Sequence, residues 1–124
     1  MATQNLTGKE GEEEARRYLI AQGYAILHSN WRWRHYEIDI IASKGNELVV
    51  VEVKTRSGNY LLPPQESVNK GKIQRIVAAA DFYVQRSGLN MPIRFDIITV
   101  VKHQNGYETE HIEDAFYAPL CDRQ

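Results

Sequence analysis

The sequence predicts a single α/β domain in which a mixed sheet is flanked by helices, in the order helix, three strands, helix, two strands. Short apolar runs rich in β-branched residues, such as Leu48 to Val51 and Ile97 to Val101, have the length and composition of buried strands. Two longer stretches place apolar residues at three- and four-residue steps, as amphipathic helices do. A chain of 124 residues with 43% hydrophobic residues can bury one core and is too short for two.

The first helix is predicted to begin at Thr7 to Glu10, where Thr-Gly-Lys-Glu has the form of a capping box. It should end at Gly23, which suits the left-handed residue that follows a helix. Its buried face is predicted to carry Gly11, Ala15, Tyr18, Leu19 and Gln22. Glu12 lies at the margin of this face, where its spacing alone favours an exposed ion pair with Arg16.

A first strand is predicted from Tyr24 to His28 and continues through Trp31-Arg32-Trp33-Arg34-His35, where aromatic and basic residues alternate. Alternation along a strand places the two tryptophans on one face and the two arginines on the other. Such interleaving can bind nucleic acid by stacking and phosphate contact. A half-buried edge strand with a solvated face has the same pattern, and this second interpretation is favoured for the tryptophans.

The central feature of the sequence is a predicted hairpin, whose strands contain Glu37-Ile38-Asp39 and Glu52-Val53-Lys54 around the turn Lys44-Gly45-Asn46. The two acids of the first strand share a face, and Glu52 shares a face with Lys54. Asp39 and Glu52 on neighbouring strands offer the oxygen ligands that Mg²⁺ takes beside substrate phosphate and water. Lys54 could orient that water or stabilise negative charge. An acid followed by Glu-x-Lys is also common on solvent-facing sheets, so spacing alone leaves both interpretations open.

A loop is predicted from Ser57 to Gln65, because Pro63-Pro64 cannot enter a helix interior. The second helix is predicted from about Ser67 to Arg86, with a buried stripe of Ile73, Ile76, Val77, Ala80 and Val84. Three bases lie in its first turns, where they oppose the helix dipole: Lys70, Lys72 and Arg75. A nearby anion and ordinary solvation account equally well for this placement.

The last part of the chain predicts a second pair of strands. Ile93 to Val101 is predicted to be an interior strand in which Arg94 and Asp96 share a face and can pair. Gln104-Asn105-Gly106 predicts a hairpin turn, and Tyr107 to Ile112 the last strand. Residues 114–124 are predicted to be a C-terminal tail of the one domain, 1–124.

The formal net charge of −1 argues against a uniformly basic surface that attracts nucleic acid. The charge is nonetheless uneven, since residues 31–75 carry eight Lys or Arg against five acids. Residues 103–124 carry five acids and one Arg. A local site for a polyanion is therefore permitted in the first of these segments.

Several function classes are disfavoured by what the sequence lacks. Four scattered histidines, one cysteine and no glycine-rich phosphate loop argue against zinc, thiol and nucleotide-cofactor chemistry. Apolar runs fall far short of the roughly 20 residues that span a bilayer, and the N-terminus lacks a signal-peptide pattern. The single Cys121 cannot form an internal disulfide, so a cytoplasmic location is expected.

Short motifs follow one another over nearly the whole chain: Gly8-x-x-Gly11-Glu12-x-x-Ala15, Asn30-x-Arg32, Glu37-Ile38-Asp39, Val51-Glu52-Val53-Lys54-x-Arg56, Lys72 and Arg94-x-Asp96. Together they resemble the YraN-like family of small bacterial proteins. That family looks like a branch of the PD-(D/E)XK nuclease superfamily, close to archaeal Holliday junction resolvases. The resemblance implies a restriction-endonuclease-like (PD-(D/E)XK) core, which agrees with the predicted order of elements.

The resemblance also implies roles for the matched residues. Asp39 and Glu52 would be metal ligands, and Lys54 the catalytic lysine. Glu12 would complete the site, while Glu37 stays open between a further metal ligand and a structural partner. The phosphate contacts would come from matched bases and from the basic stretch around them: Arg32, Arg34, Arg56, Lys70, Lys72 and Arg75.

Three details of the resemblance concern the surroundings of these ligands. The Val53 carbonyl is a candidate third ligand. Tyr36 stands where most relatives have glycine, and the superfamily's proline before the metal-binding Asp is Ile38 here. A bulky Tyr36 would narrow access to the site and affect the substrate pose more than the ligands.

The leading hypothesis is a Mg²⁺- or Mn²⁺-dependent DNA endonuclease that hydrolyses phosphodiesters with metal-activated water. Its expected partner is branched or single-stranded DNA. No association with a membrane is expected, and the protein could form a homodimer. The alternative is a nuclease-fold DNA-binding or interaction module without efficient turnover, whose binding depends on salt but not on Asp39 or metal. A third interpretation makes the acids a salt-bridge network with Lys54 and Arg94.

Overall fold

The computed structural model describes residues 8–57 and 70–116. In these ranges the chain forms α1 (Gly8–Ala21), β1 (Ala25–Trp33), β2 (Tyr36–Lys44), β3 (Glu47–Ser57), α2 (Lys70–Ser87), β4 (Ile93–His103) and β5 (Gly106–Phe116). This order confirms the predicted α/β domain. The predicted cap at Thr7, the proline loop, the helix start near Ser67 and residues 117–124 of the tail lie outside the described residues.

The five strands form one sheet in the order β1-β2-β3-β4-β5. The first three strands make an antiparallel meander, β3 and β4 are parallel, and β4 and β5 are antiparallel. Helix α2 lies in the segment that joins the two parallel strands, as the crossover of a parallel pair requires. The predicted mixed sheet flanked by helices is therefore confirmed.

Each face of the sheet is covered by one helix. The face towards α2 packs Ile41, Leu48, Val50, Phe95 and Ile97 against Ile76, Ala79, Ala80 and Tyr83. The face towards α1 packs Ile40, Ala42, Val49, Val51, Ile98 and Val100 against Ala15 and Leu19. Strands β3 and β4 are buried on both faces, which explains why their sequences are continuous apolar runs. Neither helix in the described ranges has the length and hydropathy needed to cross a membrane.

The left-handed residue that follows α1 is Gly23, as the sequence predicts, and its φ is 94°. The Tyr24 amide donates to the Leu19 carbonyl at 2.9 Å and the Gly23 amide donates to Ile20 at 3.0 Å, which closes the last turn. Gln22 was predicted on the buried face, and this is wrong. The helix ends at Ala21, so Gln22 lies in the exposed turn beyond it.

Strand β5 is longer than predicted. Residues 114–116, assigned to the tail by the sequence, continue the strand to Phe116. The Phe116 ring is buried and stacks on Phe95 with 5.3 Å between the ring centroids. This aromatic pair holds the end of β5 against β4, although polar residues precede it in the sequence.

Candidate functional site

The sheet opens between β2 and β3 at Asp39. Pairing of the two strands stops at Ile40 and Val51, although the next position of the register would place Asp39 opposite Glu52. The Asp39 carboxylate instead accepts a hydrogen bond from the Val53 amide, with 2.8 Å between Oδ2 and N. A side-chain acceptor thus replaces the backbone bond that is lost where the strands part.

The backbone is irregular around this opening. Ile38 packs in the cluster beneath α2, whereas Ile40 packs in the cluster beneath α1, so the alternation of a regular strand is broken at Asp39. On the other side of β2, the register places Asn30 opposite Asp39, and Asn30 has a φ of 53°. Asparagine adopts this left-handed conformation more readily than most residues. Asp39 therefore lies where pairing with β3 ends and opposite a left-handed residue of β1.

Glu52 is 7% exposed and binds two lysines through one carboxylate oxygen. The Lys72 Nζ lies 2.6 Å from Oε2 and the Lys54 Nζ lies 3.4 Å from the same atom. Lys54 is two residues further along β3, whereas Lys72 comes from the first turn of α2. The pair predicted from strand alternation is thus present, and a second ammonium joins it from the helix.

The pKa values of this group are shifted by burial and by one another. Burial raises the pKa of Asp39 to about 7, and the negative charges of Glu52 and Glu12 act in the same direction. The bond from Val53 and the positive charge of Lys72 act against this shift. Burial and the neighbouring carboxylates thus outweigh the groups that favour the charged form of Asp39.

The two lysines shift in opposite directions. Burial lowers the pKa of Lys54 despite the opposing charge of Glu52. Burial also acts to lower the pKa of Lys72. The hydrogen bond and the charge interaction of Lys72 with Glu52 outweigh this effect of burial, so the pKa of Lys72 is raised. Lys72 is thus held as an ammonium, whereas Lys54 gives up its proton more readily than an ordinary lysine.

Glu12 and Glu37 lie in different surroundings. Glu12 is half-buried on α1 and close enough to Asp39 to raise its pKa. Glu37 is exposed and pairs with Arg32, its direct partner across β1 and β2, with 3.6 Å between Nη2 and Oε1. Across residues 8–57 and 70–116, no group of three or more His, Cys, Asp or Glu side chains is placed to hold a metal ion. Glu52 is the carboxylate that acts most strongly on Asp39, and Glu12 acts less strongly.

The predicted DNA-binding bases belong to three parts of the chain, the end of β1, the end of β3 and the helix α2. Arg56 follows Lys54 on β3 and donates to the Thr55 carbonyl at 3.2 Å. Arg75 is exposed on α2, and the side chain of Lys70 lies outside the described residues. Arg34 was predicted on the face opposite Trp33, yet its guanidinium lies 5.0 Å from the centroid of that ring. Its φ of 61° turns the chain at the end of β1, so strand alternation no longer applies.

Sequence reasoning missed Thr99, the register partner of Lys54 on β4. Thr99 is fully buried, and its hydroxyl has no hydrogen-bond partner within the described part of the chain. In the sequence it resembles any β-branched residue of a core strand, so no local signal distinguishes it. Most buried polar groups have a hydrogen-bond partner, so the Thr99 hydroxyl is an exception beside the candidate catalytic lysine.

The predicted pair of Arg94 and Asp96 is confirmed, and it belongs to a second network. Arg94 donates to both oxygens of Asp96, at 2.9 and 2.8 Å. His111 on β5 bonds Asp96 at 2.7 Å and Tyr18 on α1 at 3.1 Å. Hydrogen bonds from His111 and Arg94 outweigh the effect of burial and hold the pKa of Asp96 below its usual value. In the described ranges Arg94 does not bond Asp39 or Glu52, so the single network with Lys54 and Arg94 is not formed.

Comparison with known proteins places the chain in a family. Residues 11–100 match the uncharacterised protein family UPF0102. A UPF0102 protein of Parabacteroides distasonis is 59% identical over 119 residues, which cover 96% of this chain and 98% of the relative. A relative from Bacteroides thetaiotaomicron is 50% identical, covering 97% and 99%, and one from Flavobacterium psychrophilum is 49% identical, covering 94% and 98%. The chain therefore belongs to the UPF0102 family, the YraN-like family that its motifs resemble.

Proposed function

We propose that this protein is a metal-dependent DNA endonuclease whose site is formed by Asp39, Glu52, Lys54 and Lys72. One observation carries this proposal. Asp39 is held beside Glu52 where the strands part, with a pKa raised to about 7 and no salt-bridge partner in the described ranges. A purely structural acid would gain from a direct ion pair or from full exposure, and Asp39 has neither among residues 8–57 and 70–116.

The donor set fits Mg²⁺ or Mn²⁺. Both available side chains offer oxygen, which suits these ions and not the nitrogen- or sulfur-liganded metals. Asp39 uses Oδ2 for the Val53 amide, and Glu52 uses Oε2 for the lysines, so each retains its other oxygen. When bound, such an ion would neutralise charge on a phosphodiester and acidify the attacking water. Two carboxylates suffice because Mg²⁺ commonly completes its ligands with water and substrate phosphate.

The remaining roles in the proposed reaction fall to two lysines and one backbone amide. Lys72 stays charged at neutral pH, since its pKa is raised, and would hold a phosphate oxygen at the mouth of the site. Lys54 has a lowered pKa and lies deeper, so it would take a proton from the attacking water or stabilise charge that develops on phosphate. The Val53 amide keeps Asp39 oriented beside both.

A DNA-binding module without turnover is the second candidate. The observation that favours it is the 2.6 Å contact between Lys72 and Glu52, which occupies one oxygen of a proposed metal ligand. In such a module the lysine would take the place of the ion. Affinity for DNA would then depend on salt and be unaffected by EDTA.

The experiment is cleavage of branched, single-stranded and duplex DNA with Mn²⁺, comparing wild type with Asp39→Asn and Glu52→Gln. Each substitution keeps the shape of the side chain and removes its charge, and we expect a loss of at least about 100-fold in rate. Glu13→Gln, an exposed acid on α1, is the matched control and should cleave as wild type does. Cleavage that survives both substitutions contradicts the site. DNA binding without cleavage, unchanged by EDTA, favours the second candidate.

A further inference from the structure

A groove lies between the β1–β2 turn and the first turns of α2. It consists of two adjoining depressions of about 280 and 480 Å³. Tyr36 and Arg75 line both, so the depressions adjoin at these side chains, and we call them together the aromatic groove. Lys72 lines one end, and Trp33 and Arg34 line the other.

One wall of the groove is a stack of rings and a guanidinium. The Trp33 ring stacks on Phe82 of α2, with 5.1 Å between centroids and 23° between planes. The Arg34 guanidinium lies 5.0 Å from the centroid of Trp33. The left-handed turn at Arg34 brings this cation back over the ring, so the local backbone conformation builds the stack.

Tyr36, which is half-buried at the start of β2, extends this wall of the groove. Its ring centroid lies 6.0 Å from that of Trp33, and the Arg75 guanidinium lies 5.9 Å from it. Aromatic rings and guanidinium planes are the surfaces on which unpaired nucleobases stack. The groove therefore presents such surfaces along its length together with positive charge.

Charge in the groove favours a polyanion. Arg34, Lys72 and Arg75 line it, and its acidic residue, Glu37, is paired with Arg32. Lys72 also binds Glu52, so one end of the groove meets the proposed catalytic group. A strand lying along the groove would bring a phosphate to Lys72 and a base to Tyr36.

We infer that the aromatic groove binds an unpaired nucleotide of single-stranded DNA next to the proposed cleavage site. Bases within a duplex stack on one another, so their faces are not available to Tyr36 and the arginines. The substrate would thus carry a single-stranded segment, such as a flap, a gap or a splayed arm. The location beside a scissile phosphate rests on the proposed function, whereas binding of the strand does not.

The test is equilibrium binding in EDTA, measured by fluorescence anisotropy at fixed salt. Three probes of equal length are compared: oligothymidylate, an abasic single strand with the same phosphates, and a duplex. We expect oligothymidylate to bind roughly tenfold more tightly than either of the others, from stacking. Tyr36→Leu, which keeps an apolar contact, and Arg75→Ala should each remove most of this preference.

Arg17→Ala is the matched control, an arginine on α1 whose side chain is 68% exposed. It should bind all three probes as wild type does. Equal binding of oligothymidylate and the abasic strand, or an unchanged preference in Arg75→Ala, overturns the inference. Arg75 is exposed, so this variant carries the test even if Tyr36→Leu fails to fold. Because EDTA excludes metal-dependent catalysis, binding by the groove is tested separately from the nuclease proposal. A failure of one proposal therefore does not imply a failure of the other.

Discussion

Lys72 and Glu52 join α2 to β3 through a contact of 2.6 Å between Nζ and Oε2. The helix that lines the aromatic groove is thereby tied to the strand that carries a proposed metal ligand. The same ammonium would lie between a phosphate in the groove and an ion at Glu52. Lys72 is therefore expected to oppose binding of a free cation and to favour binding of DNA.

Lys72→Met should separate these two effects. Removing one positive charge beside Glu52 is expected to tighten Mn²⁺ binding several-fold, since a charge about 4 Å away contributes on the order of 1 kcal/mol or more near a protein surface. The same change should weaken DNA binding. Calorimetric titration of Mn²⁺ without DNA measures the first effect, with Lys9→Met on α1 as control. An unchanged Mn²⁺ affinity would mean that Lys72 does not share Glu52 with the ion.

Asp39 should make the stability of the protein depend on pH. Its pKa is raised from 3.8 to about 7, so between these values the folded state holds a proton that the unfolded state has lost. The contribution of Asp39 to the free energy of unfolding is thus greatest below about pH 4, and it is lost as the pH rises through about 7. Asp39→Asn removes this dependence and can still accept the bond from Val53. In EDTA at pH 8, the variant should melt at least about 4 °C above wild type.

Wild type and Asp39→Asn should also be compared at pH 5, where the difference between their melting temperatures should be much smaller than at pH 8. Glu37→Gln, an exposed acid two residues away, controls for removal of a charge in general. A difference between wild type and Asp39→Asn that is equal at pH 5 and pH 8 would argue that the Asp39 pKa is ordinary.

Thr99→Val tests the buried hydroxyl beside Lys54. Valine has nearly the same shape, so the change removes an unsatisfied polar group without leaving a cavity. We expect the free energy of unfolding to rise by about 1 kcal/mol, measured by urea denaturation. Thr55→Val, one residue beyond Lys54 on β3, provides a comparison. A loss of stability in Thr99→Val would mean that the hydroxyl has a bound water as its partner.

Asp96→Asn should be strongly destabilising. Asp96 is fully buried and bonds Arg94 and His111, and breaking a buried ion pair leaves a charge uncompensated at a cost of about 3–5 kcal/mol. Because its pKa is lowered in the folded state, the stabilisation is present above about pH 4 and is lost in acid. Urea denaturation should give a large difference from wild type at pH 7 and a smaller difference at pH 3. Asp81→Asn, an exposed acid on α2, should change little at either pH.

The sequence was sufficient for most of the fold because its signals are local. β-branched runs mark β3 and β4, and the periodic stripe of α2 gives its buried face. The end of β5 was missed, since Glu113 and Asp114 have the composition of a polar tail. Its pairing depends on Phe116 reaching Phe95, a contact between distant parts of the chain that no local pattern encodes.

Part of the candidate site could likewise be predicted from local sequence patterns, and part of it could not. Glu52 and Lys54 share a face because they are two residues apart on one strand, so alternation alone predicts their pairing. The approach of Lys72 to Glu52 depends on how α2 lies on the sheet, and Thr99 meets Lys54 only through the parallel register. Arg34 departs from alternation because its left-handed backbone is set by a tight turn.

The hydrogen bond between Asp39 and the Val53 amide has a mechanical consequence. Val53 stands between Glu52 and Lys54, so a single link fastens one carboxylate to the peptide that carries the other carboxylate and the lysine. The position of Asp39 relative to Glu52 and Lys54 is therefore set by one hydrogen bond. Loss of that bond would disturb the spacing of both carboxylates and of the lysine together.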